Sequence, residues 1–79
     1  MKNQNFTQQQ QDLLRNTFKA VADHCLSTGN NDEKSHRKEL NKLINLHLRW
    51  NEDLETAVEN SYWNVISAID IDNQLNSES

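Results

Sequence analysis

His24, Cys25, His36 and His47 are the soft donors of this chain, the side chains able to hold a transition metal or to start nucleophilic chemistry. Their spacing argues against both uses. His24 and Cys25 are adjacent and diverge by about 100° on a helix. His36 and His47 are separated by about three helical turns, roughly 16 Å along an axis. No pair has the close spacing of a zinc site. The pattern reads as histidines at the edge of a core beside a buried thiol. Ser35 and His36 are neighbours and face apart, as do Asp70 and Asp72. The sequence holds no glycine-rich phosphate loop, no Gly-x-Ser-x-Gly and no Cys–His arrangement with a supporting acid. The expectation is a protein that is not an enzyme, with no metal and no cofactor.

The chemistry that remains is charge. All eight Lys and Arg residues lie at or before Arg49, with five acids among them; from Trp50 onward there are seven acids and no basic residue. Such polarity can steer a partner or a second copy of the chain. The elements that carry these charges are helical. The chain has no proline and one glycine, Gly29. Thr7 with Gln10 forms a capping box for a first helix over about 7–28. Its apolar stripe is Leu14, Phe18, Val21 and Cys25, flanked by Leu13 and Leu26. Gly29 suits the left-handed residue that ends it, and Asn30, Asn31 or Asp32 could cap the next helix.

A second helix over about 33–49 gathers Leu40, Leu43, Ile44, His47 and Trp50 on one side, with His36 among them. Lys34, Lys38, Lys42 and Arg49 form a stripe elsewhere on that helix, with Arg37 nearby. A third helix over about 52–70 turns Leu54, Val58, Ser61, Val65 and Ala68 or Ile69 inward, with Asn51 as a candidate cap. Its outward sector holds Glu52, Glu55, Glu59 and Asp70 together with Trp63 and Ile66. A tryptophan within an acidic face is the least expected placement in the chain.

The fold class is therefore all-α, a small three-helix bundle in one domain over 1–72 with a flexible tail at 73–79. The alternative is a single helix over 33–70, about 57 Å long, whose bare apolar stripe would require a dimer. One cysteine excludes an intrachain disulfide and suits a reducing compartment. No signal-like or membrane-length apolar stretch is present, so a cytoplasmic location is expected. Twelve asparagines give the compositional bias common in AT-rich genomes, viral and mobile elements included.

Together these features imply a non-enzymatic protein-binding inhibitor. Trp63 would anchor it and Glu52, Glu55, Glu59 and Asp70 would steer it onto a larger protein with a basic, nucleic-acid-handling surface. Phage-encoded anti-defence proteins, such as anti-CRISPR or anti-restriction inhibitors, are of this general kind. Two alternatives stand beside it. One is a dimeric DNA-associated regulator or antitoxin that uses Lys34, Arg37, Lys38, Lys42 and Arg49 on phosphates or for self-pairing. The other is an immunity protein against a nuclease toxin.

Overall fold

The computed structural model describes residues 6–77. These residues form three helices: α1 (Gln8–Thr28), α2 (Glu33–Arg49) and α3 (Leu54–Ser77). They pack against one another as an up–down–up bundle, so α1 and α3 run parallel and α2 runs antiparallel to both.

Local signals set the helix ends. The Thr7 hydroxyl accepts from the Gln10 N–H and the Gln10 side chain accepts from the Thr7 N–H, completing the capping box. Gly29 takes φ 78° at the end of α1, and its N–H turns back to the carbonyls of Cys25 and Leu26. The single long helix is excluded by a turn at Trp50–Asp53. There Asn51 adopts φ 68°, a left-handed conformation that asparagine tolerates better than most residues. Asn51 therefore ends α2, and the cap of α3 is Asp53, whose Oδ1 accepts from the Thr56 N–H at 3.2 Å. Hydrogen bonds from Thr56 hold the Asp53 carboxyl below its ordinary range.

The core is built from Val21 and Cys25 of α1, Leu40 and Ile44 of α2, and Leu54, Val58, Val65, Ile66 and Ile69 of α3. Leu13, Leu14 and Phe18 close its edge from α1, as Leu43 does from α2. Four expectations change. Ile66, placed by its helical phase on the outward acidic face, is 9% exposed and belongs to the core. The last turns of α1 lie over that flank of α3, as the approach of His24 to Asp70 one turn beyond Ile66 shows. Leu26 and Trp50, read as inward-facing, are 80% and 60% exposed: Leu26 lies about 100° around α1 from the buried Cys25, and Trp50 sits at the turn that ends α2. Residues 73–77, read as part of a tail, continue α3 to Ser77, and 78–79 of that tail lie outside the described residues. Ala68 is exposed and Ile69 takes the inward position.

Ser61 is fully buried, and among the described residues its hydroxyl has no hydrogen-bond partner.

Candidate functional site

The acids of the last third of the chain do not form one surface. Three of them are bound to the three histidines. His24 Nε2 lies 2.8 Å from Asp70 Oδ1, joining α1 to α3. His36 Nε2 lies 3.4 Å from Asp72 Oδ2, joining α2 to α3. His47 Nδ1 lies 3.0 Å from Glu52 Oε1 across the α2–α3 turn, and the Trp50 ring meets His47 edge-on at 5.0 Å. Asp70 and Glu52, both placed on the partner surface by the sequence pattern, are thus tied into internal pairs.

A fuller network surrounds Asp72. The buried Asn30 amide donates to Asp72 Oδ2 and to Asn73 Oδ1, each at 2.9 Å, while Asn30 Oδ1 accepts from the Asp32 N–H at 2.8 Å. The Asn73 amide in turn donates to Thr28 Oγ1 at 2.9 Å. The α1–α2 loop is thereby clasped to the last turns of α3. The Asn30 bond first, and His36 second, hold the Asp72 carboxyl below its usual range. Donor atoms of Asp32, His36 and Asp72 also lie within 4.8 Å of one another, close enough to share a divalent ion. The sequence could not show this grouping, which joins positions far apart in the chain. The Asn30 and His36 bonds account for the Asp72 placement without an ion. Cys25 is fully buried nearby. Burial first, then the charges of Glu33, Asp32 and Asp72, push its thiol upward, which keeps it protonated and a poor nucleophile.

Glu55 and Glu59 behave differently. Among the described residues neither has an ion-pair partner, and both are exposed. They rim an open groove of about 410 Å³ between α1 and α3. Leu13, Thr17 and Ala20 line its α1 side, and Val58 and Tyr62 its α3 side. Trp63 is 57% exposed beside it, with its ring meeting Tyr62 edge-on at 5.0 Å. The structure therefore brings Trp63, Glu55 and Glu59 to one side and leaves Ile66 in the core. It adds Tyr62 and the α1 wall, which the pattern of α3 alone did not reveal. The neighbouring tryptophan was the one available signal for Tyr62.

The basic residues gather on the other flank of α1. Arg15 and Lys19 face Arg37 across a second groove that contains Phe18 and Ala22. Lys34, Arg37 and Lys38 border the adjoining groove, again with Phe18. Lys42 and Arg49 continue the line along α2. Arg15 pairs with Asp12 at 3.1 Å and Arg37 with Glu33 at 3.2 Å, both within their own helices. The sequence stripe omitted Arg15 and Lys19, because the rotation of α1 against α2 is not written in either helix.

The fold and these surfaces define a small all-α three-helix protein with an acid-rimmed apolar groove on one flank of its first helix and a cationic face on the other. Neither a family model, a curated protein nor a solved structure matches the chain. No helix in the described residues is long and apolar enough to cross a membrane.

Proposed function

We propose that the protein is a non-enzymatic inhibitor that docks through the α1–α3 groove on a basic surface of a larger, nucleic-acid-handling protein. The observation that carries this reading is the pairing of two unpartnered acids with an apolar groove and an exposed tryptophan. A lysine or arginine from the partner fits such a site by its two halves. Its alkyl stem lies on Leu13 and Val58, and its cationic head meets Glu55 and Glu59 or the faces of Tyr62 and Trp63. The exposed acids steer and select, since surface ion pairs contribute only about 0–1 kcal/mol each. The aromatic anchor supplies most of the affinity. Docking excludes the nucleic acid that normally occupies the partner's basic groove. A phage-encoded anti-defence role, against CRISPR or restriction enzymes, is the biological setting we propose, in the cytoplasm.

The test compares the wild-type protein with the Trp63→Ala and Glu55→Lys/Glu59→Lys variants as bait in the host lysate. The reading expects wild type to retain a nucleic-acid-handling protein, to displace its nucleic acid and to suppress its activity, while the variants do none of these. Equal retention and equal suppression by the groove variants would overturn it.

A further inference from the structure

We infer that the outward face of α2 is a second binding surface, one that seats in the major groove of duplex DNA. Lys34, Arg37, Lys38, Lys42 and Arg49 are all exposed on this helix. Asn41 and Asn45, also exposed, fill the positions between them. These residues follow the three- and four-residue steps of a single helical face, with one acid, Glu33, at its edge and paired to Arg37. The strip runs about 22 Å from Lys34 to Arg49 at ~1.5 Å per residue. That length lies beside roughly six phosphates of one strand at about 3.4 Å per phosphate.

Three observations set this face apart from an ordinary solvated one. First, among the described residues Lys34, Lys38, Lys42 and Arg49 have no acid partner, although the chain carries more acids than bases. The acids of the last third lie elsewhere, on the histidines, at the α3 cap and at the α1–α3 groove, while Asp12 and Glu33 pair with Arg15 and Arg37 within their own helices. Second, α1 adds Arg15 and Lys19 beside Arg37, so the cations cover two helices and can hold phosphates flanking the one α2 enters. Third, the interleaved side chains are amides, which both donate and accept at base edges, as asparagine does toward adenine. An α-helix fits the major groove of B-DNA but not the deep, narrow one of duplex RNA. The chemistry therefore selects DNA. The net charge of −4 is spread away from the strip: Glu55 and Glu59 lie on the other flank of α1, and the exposed Glu39 stands about 100° around α2 from Lys38. The inference stands independently of the α1–α3 groove.

Fluorescence anisotropy with a labelled 20-base-pair duplex, between about 50 and 200 mM salt, tests it. Binding should weaken steeply with salt, with a log–log slope of about −6 for the seven cations. Arg15→Ala/Lys19→Ala should make the slope shallower by about 2. Asn41→Asp/Asn45→Asp, at two exposed positions, should lower affinity at least tenfold with an unchanged circular dichroism spectrum. Glu55→Ala/Glu59→Ala should not weaken binding. No binding at low salt, an unchanged slope in the Arg15/Lys19 variant, or equal affinity for duplex RNA would each overturn the inference. So would low-salt self-association through the same cations, because the occupant would then be a second copy of the chain.

Discussion

The two flanks of α1 differ in how much of their charge the fold has used. On the acidic side Asp70, Asp72 and Glu52 are bound to histidines and Asp53 caps a helix, leaving Glu55 and Glu59 beside an apolar groove. On the basic side, among the described residues, only Arg15 and Arg37 are paired with acids, each within its own helix. A run of like charge in a sequence is thus not a surface. It becomes one only after the internal partners are subtracted, and here the subtraction removes most of the acids and few of the bases.

The comparison can be broken most forcefully at Ile66. If this residue is core, as its burial shows, Ile66→Ala should cost about 2–4 kcal/mol in urea unfolding. A change within about 0.5 kcal/mol would return it to the surface. Trp63→Ala sharpens the contrast from one turn away. It should lower affinity for a groove partner by about 2 kcal/mol, roughly thirtyfold, while moving the urea midpoint little. Asn30→Ala should cost about 1–3 kcal/mol of stability in urea unfolding, because it removes the three hydrogen bonds that the buried Asn30 side chain makes in the clasp. Ser61→Ala should raise stability by about 1 kcal/mol, since it removes a buried hydroxyl with no partner.

The smallest effect is in pH. The depressed Asp72 carboxyl stabilises the fold fully above its unfolded value, and that contribution is lost as pH falls through its lower folded value. Thermal unfolding should therefore drop between about pH 5 and pH 2 more steeply in wild type than in Asp72→Asn.

Much of this architecture is legible in the residues. Thr7 with Gln10, Gly29 and the acidic start after Asn51 mark where helices begin and end. Leu40, Ile44, Val58 and Val65 mark their inner faces. A helical wheel fixes phase within one helix but not the rotation of one helix against another. Hence Ile66 looks outward until α1 is laid over it, and Arg15 and Lys19 do not join the cations of α2 until α1 is turned toward them. Two of the histidine pairs are invisible for a related reason, since His24 and Asp70 are separated by 46 positions and His36 and Asp72 by 36. Only three-dimensional closure of the bundle brings them together. The candidate groove was half readable: α3 showed Trp63, Glu55 and Glu59, but its opposite wall belongs to α1.

That division of the groove between the first and last helices has a consequence for folding. Its walls meet only when both ends of the chain have docked, so the groove is absent from any state in which α1 or α3 has come away. A ligand seated there binds the complete fold alone, and by mass action adds RT ln(1 + [L]/Kd), about 2.7 kcal/mol at a hundredfold excess over Kd. For a chain with one cysteine, an occupied groove supplies the cross-link between distant segments that a disulfide gives other small domains. On the proposed function, that cross-link would be made by a partner and undone when the partner leaves.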